Sequence, residues 1–269
     1  MAPTTKLTKV TPKLAGEWLA KNTHNRNIRN GVVAMYARDM KQGLWQFTGE
    51  AIKFDTKGDL VDGQHRLLAV VRANTPVEML VIVGVSPAAQ QVMDSGAKRQ
   101  ASDALALKGY TNTALTAAVA RFAILLDSGD DMQKAVTHSE ILEWVEANPD
   151  IQGAATAIHA IRSFVDFAPT ALAYSMLVLS RSNAEACARF FDSIANNITT
   201  GKGDPVNTLI RRARSARSNG ERLRTDEQVQ FIIRTWNAWR QGDSLHVLRT
   251  HSSDGKGGAT RVQIPKVAA

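Results

Sequence analysis

The chain has 269 residues, 44% hydrophobic and 22% charged, a balance that supports a buried core and excludes a disordered or fibrous protein. Its length exceeds one average domain and favours two compact units, or one domain with a large helical extension. A formal charge of +8 fits a polyanionic partner and a merely solubilising surface about equally, while a single cysteine, Cys187, rules out an intramolecular disulfide and a cysteine-based metal cluster.

The charge is unevenly spread. Lysine and arginine outnumber aspartate and glutamate 15 to 9 over residues 1–112 and 13 to 6 over 201–269, but fall behind them 5 to 10 over 113–200. Two basic ends flanking an acidic middle suggest that the ends do the binding. No apolar run reaches the ~18 residues that span a bilayer, and Met1-Ala2-Pro3-Thr4-Thr5-Lys6 lacks an apolar signal core, so a cytoplasmic protein is expected.

In chain order, residues 1–30 are polar and read as a loop or arm, with a basic, amide-rich stretch from Asn25 to Asn30. Val32, Met35, Tyr36 and Met40 recur at helical spacing until Gly43. Ala51-Ile52-Lys53-Phe54, a turn over Asp55 to Asp59, and Leu60-Val61 predict a hairpin. Gln64 to Ala73 predicts a helix with Leu67, Leu68, Val70 and Val71 inward, and Val77 to Val85 predicts a strand buried on both faces at the centre of a small sheet.

After Ser86-Pro87 come a short helix from Ala88 to Met93, the turn Asp94-Ser95-Gly96-Ala97-Lys98-Arg99, and a further helix opening at Ser102. Helical patterns then follow over 113–127, 138–147, 151–166, 170–181, 184–198, 206–218 and 225–241, separated by Gly, Pro and Asn. The tail from Ser244 holds two short alternating runs, Leu245 to Leu248 and Arg261 to Ile264, around a Ser- and Gly-rich loop. It reads either as a terminal hairpin or as a mobile basic tail.

The segment Asp62-Gly63-Gln64-His65-Arg66 lies where the hairpin passes into a helix. A glycine there permits a tight turn and close approach of a ligand, and the first helical turn offers unpaired N–H groups at the positive end of the macrodipole. Anions bind in such places. Arg66 can fork onto a phosphate, His65 can donate or shuttle a proton, and Gln64 can orient a water or a base. Asp62 can cap the helix, coordinate magnesium or act as a base. On generic grounds an ordinary Asp-Gly turn with a solvated helix start explains the same residues.

The stretch Gly58-Asp59-Leu60-Val61-Asp62-Gly63-Gln64-His65-Arg66-Leu67-Leu68-Ala69 resembles the nucleotide-binding signature of the ParB/sulfiredoxin superfamily. The corresponding turn is Gly-Glu-Arg-Arg in ParB proteins and Gly-Cys-His-Arg in sulfiredoxins. The form here is similar to the Asp-Gly-Gln-His-Arg group linked to DNA modification and to ParB-like proteins of bacteriophages. The resemblance covers about residues 25–110 and implies a compact α+β core in which Gly63, His65 and Arg66 face nucleotide phosphates. Gln64 stands where sulfiredoxins have cysteine, which excludes sulfinic acid repair, and where ParB proteins have glutamate, which departs from CTP-dependent clamp chemistry.

Three further groups of residues are candidates. Lys98 and Arg99 could serve the same anion, with Asp94 beside Asp62 as a metal partner, or form a solvated loop. Arg26 and Arg29 could contact DNA, although loops are commonly rich in such residues. Arg211, Arg212, Arg214 and Arg217, with Arg222 and Arg224 beyond, give a broad cationic face that suits a DNA backbone or plain solvation. Thr137 to Glu140 carries helix-capping chemistry, Trp236 and Trp239 suit a packing seam more than a base-stacking platform, and Cys187 reads as a buried thiol.

The expectation is therefore an α+β protein. A ParB/sulfiredoxin-like nucleotide-binding domain over 1–112 is followed by a helical domain over 113–243 and a basic tail or hairpin over 244–269. Its expected role is that of a nucleotide-dependent, DNA-associated protein, with Asp62 and His65 as catalytic candidates and ATP or CTP with Mg2+ as cofactors; turnover is left open, since a phosphohydrolase, a nuclease or a phosphoryl transferase would each use such a site. The rival is a non-catalytic phage protein that keeps the fold and binds DNA or a host protein. A second copy of the chain is a further partner compatible with either.

Overall fold

The computed structural model describes residues 2–23, 25, 27–92, 100–128, 135–158, 161, 166–249 and 262–268. Among them are four strands and eleven α-helices, a mixed α+β protein. The chain forms two compact units, residues 1–100 with 133–141, and residues 101–132 with 142–269.

The first unit is a four-stranded mixed sheet in the order β1-β4-β2-β3, formed by β1 (Thr4–Val10), β2 (Ala51–Asp55), β3 (Leu60–Asp62) and β4 (Val77–Val85). β1 is antiparallel to β4, from Thr4 opposite Val83 to Val10 opposite Val77. β2 is parallel to β4 and antiparallel to β3, with Lys53 opposite Asp62. Three helices complete the unit: α1 (Pro12–Leu19), α2 (Asn30–Gln42) and α3 (Gln64–Ala73). Val33, Ala37 and Met40 of α2 and Leu67, Val70 and Ala73 of α3 join Ile52, Phe54, Met79 and Val81 in one core.

Local chemistry explains these elements. Asp55 closes the β2–β3 turn by accepting from the backbone N–H groups of Lys57 and Asp59 at 2.8 and 2.9 Å. Gly43, at φ 74°, ends α2 in the left-handed conformation that suits glycine. Thr11 caps α1 by accepting from Leu14 N at 3.2 Å, and Pro12 occupies the first helical position.

Three expectations for this unit need correction. Residues 1–30 are not merely an arm, because they hold β1 and α1. β1 is exposed over most of its length and is held by main-chain pairing, so it carries no apolar pattern, whereas Thr11-Pro12 was a readable helix start. β4 is interior in strand order but is not buried on both faces. Met79 and Val81 are covered by the helices, while Glu78 and Val83 are exposed. On α3, Ala69 and Ala73 join the core in place of Val71, which is exposed.

The second unit is helical: α4 (Ala101–Leu107), α5 (Thr113–Asp127), the later part of α6 (His138–Ala147), α7 (Ile151–Ala157), α8 (Pro169–Ser182), α9 (Ala184–Ala195), α10 (Pro205–Ser218) and α11 (Thr225–Gln241). α7 ends at Ala157, well before the expected residue 166. Phe190 of α9 packs edge-on against Trp236 of α11 at 5.4 Å and against Phe191 at 5.4 Å, with Trp239 at 5.5 Å, so the tryptophans form a packing seam. Cys187 is buried within the same helix α9, and burial pushes its thiol up to about 11, which makes it inert.

The loop between the two alternating runs of the tail lies outside the described residues. Residues 262–268 contain no regular strand and bond to α11 and α8. No helix among the described residues is long and apolar enough to cross a membrane.

Candidate functional site

Gly63 occupies the N-cap of α3 with φ 104° and ψ 5°, and no side chain caps the helix. A Cβ there would lie 2.4 Å from Ile52 Cδ1 and 3.3 Å from Ile52 Cα. Backbone conformation and close packing on β2 therefore both require glycine. Position 63 is buried, and its role is to bring the start of α3 hard against the sheet.

Asp62 ends β3, and its carboxylate turns away from the cap position. Its Oδ2 accepts from Lys53 Nζ across the strand pair at 2.9 Å and lies 3.4 Å from Arg66 Nη2 one helical turn on. Two cations share one carboxylate, leaving a local charge of +1. All three side chains are mostly shielded from water. With two cations already on Oδ2, this arrangement suits a further anion better than a protein-held metal. Among the described residues no group of three or more His, Cys, Asp or Glu could hold a metal ion.

Arg66 is not turned into solvent. Its Nη2 donates to the Ala51 carbonyl at 2.9 Å, and its Nη1 is buried with no hydrogen-bond partner. A buried donor left unmade costs about 1–3 kcal/mol, so such an atom calls for a physical explanation.

Gln64 and His65 are both buried and bind the segment before α2. Asn22 Nδ2 donates to Gln64 Oε1 at 3.1 Å, and the Arg29 backbone N–H donates to His65 Nε2 at 3.0 Å. Asn25 fastens the same segment by donating to Asn22 Oδ1 and to the Leu60 carbonyl, each at 2.6 Å. Because His65 Nε2 accepts here, that nitrogen carries no proton in this arrangement. The fold thus brings together two groups that are far apart in sequence, the turn at 62–66 and the amide-rich stretch at 22–29. Sequence reasoning missed Asn22 and Lys53; the alternation that places Lys53 opposite Asp62 was the available signal for the second.

Arg29 itself is exposed. Arg26, Asp94, Lys98 and Arg99 lie outside the described residues.

The arginines of α10 divide into two sets. Arg212 forms a two-point ion pair with Glu221 at 2.8 and 2.6 Å and stacks over Phe231 at 5.2 Å. Arg217 pairs with Asp166, and Arg224, at the start of α11, pairs with Asp226 at 3.0 Å. Arg211 and Arg214 are exposed and form no ion pair with a described residue. The free cationic face is therefore narrower than the arginine count suggests.

A second buried polar cluster lies in the first unit. Arg38 grips Glu140 through two 3.1 Å bonds, and Glu140 accepts from Thr137 N at 2.7 Å while the Thr137 hydroxyl accepts from Glu140 N at 3.0 Å. This is the capping box read in the sequence. The same hydroxyl donates to Asp39 Oδ1 at 2.9 Å. Burial holds the Asp39 carboxyl above its ordinary value; Thr137 and Arg38 pull it down, while Glu140 adds to the rise.

Compared with protein-family models, curated proteins and solved structures, the chain matches none.

Proposed function

We propose that the turn at Asp62 to Arg66 binds the phosphates of a nucleotide, as its resemblance to the ParB/sulfiredoxin signature implies, in a DNA-associated protein of the ParB-like kind. The observation that carries this reading is Arg66. Its guanidinium, carried on the first turn of α3, is held against β2 by Ala51 and Asp62, and one of its nitrogens is buried without a partner. A phosphate oxygen would satisfy that donor.

In this reading Gly63 seats the start of α3 against β2, and Lys53 with Arg66 supplies the positive field. Asp62 holds both cations in place. Magnesium enters only as the nucleotide's own counterion, bound by phosphate oxygens. For His65 to move a proton at Nε2, the bond from Arg29 N–H must open, so hydrolysis of a phosphate ester requires the 22–29 segment to shift. Arg211 and Arg214 are the side chains best placed to meet a DNA backbone.

A second reading keeps the fold without turnover. The observation favouring it is that Gln64 and His65 are occupied by internal partners. Thermal unfolding with ATP or CTP, each with and without Mg2+, tests the first reading. A ligand present at a hundred times its Kd adds about 2.7 kcal/mol of stability. The expected result is a nucleotide-dependent rise in Tm that is lost in Arg66→Ala, with the shift compared rather than the Tm itself. Absence of any shift in the unaltered protein overturns the phosphate site. A shift without hydrolysis or strand cleavage supports the non-catalytic reading.

A further inference from the structure

We propose that α11, with the end of α8, forms a binding site for an extended peptide, and that residues 262–268 occupy it as a tethered ligand. The segment runs in the same direction as the helix. Val262 N lies 3.5 Å from Asp226 Oδ2, the Gln263 carbonyl accepts from Gln230 Nε2 at 2.7 Å, and the Lys266 carbonyl accepts from Asn237 Nδ2 at 2.8 Å. The Ala268 carbonyl accepts from Trp236 Nε1 and Ser182 Oγ, both at 3.0 Å, and Ala268 N donates to Asn237 Oδ1 at 2.8 Å.

Asp226, Gln230 and Asn237 are spaced four and seven residues apart and share one face of α11. That face rises ~16 Å from 226 to 237, and an extended chain spans ~20 Å over 262–268, so the two match in length. Every bond is made to a main-chain group of the segment. Asn237 reads a carbonyl and an N–H two residues apart, as a neighbouring strand would. Of the segment's side chains only Val262 is buried. The site therefore recognises backbone direction and one aliphatic anchor rather than a full sequence. Ile264, Pro265, Val267 and Ala268 are half-buried beside it, while the ring contacts of the Phe190–Trp236 seam are made without the segment, so its departure leaves that seam in place.

The test uses the full chain with a protease recognition sequence inserted between Gly257 and Gly258, cut after folding. A fluorescein-labelled peptide with the sequence of residues 260–269 is then added. The nicked protein is expected to keep its helical circular dichroism and to take up the peptide saturably, as read by anisotropy. Unlabelled peptide of the same sequence should compete, and the reversed sequence should not. Asn237→Leu should weaken binding about tenfold or more, the loss expected for two hydrogen bonds. Failure of the cut segment to exchange, loss of helical signal when it departs, or equal binding by Asn237→Leu would each overturn the proposal. In the first two cases the segment is an integral part of the second unit; in the last, recognition does not run through the backbone.

Discussion

The turn at Asp62 to Arg66, with Lys53 across the strand pair, and the arginine row of α10 both gather positive charge, yet the fold uses them differently. In the turn, Arg66, Gln64 and His65 are withdrawn from water and bound to the main chain or to amides of a distant segment. On α10, Arg211 and Arg214 stand in solvent, while Arg212, one residue away, is fastened to Glu221 and Phe231. Charge in a sequence thus marks two different investments. One organises the chain and leaves a specific donor over; the other leaves a field available to a long-range partner.

Substitutions can break this contrast. Gly63→Ala should have the largest effect, destabilising the first unit by about 3 kcal/mol in urea titration, because it adds a left-handed strain to a clash with Ile52. A loss below about 0.5 kcal/mol would mean the turn relaxes freely and cannot be a fixed cradle. Arg212→Ala comes next, at about 1 kcal/mol, since it removes a partly exposed ion pair and a cation–π contact.

Asp39→Asn sharpens the comparison through pH. A carboxyl held high by burial contributes its stability below its unfolded value and loses it as pH rises through the folded one. The asparagine can still accept from the Thr137 hydroxyl, so the variant should gain on the unaltered protein as pH climbs from acid to neutral. A difference in unfolding free energy that is flat with pH would remove the argument. The smallest stability change, within about 0.5 kcal/mol, belongs to the Arg211→Ala, Arg214→Ala pair. That pair should instead reduce the slope of log DNA affinity against log salt by about 2, and an unchanged slope would show that this face does not meet phosphate.

Much of the architecture was legible because it rests on periodicity. The helices from Thr113 and His138, the strand from Val77 and the hairpin at residues 51–62 follow from apolar spacing and turn chemistry. β1 escaped because its stability comes from main-chain bonds to β4, which leave no mark on side-chain pattern. The residues of the turn were readable, but their partners were not. Asn22 and Arg29 reach Gln64 and His65 only after α1 and the following segment have folded back, a long-range event that local spacing does not encode.

The placing of β1 bears on how the chain is made. Its residues leave the ribosome well before the strand they pair with, since their ladder partners lie between Val77 and Val83. During synthesis that stretch must wait, unpaired, while the hairpin and α3 assemble behind it. Thr4, Thr5, Lys6, Thr8 and Lys9 make it a segment that tolerates the wait in water, since it offers a nascent neighbour little apolar surface to seize.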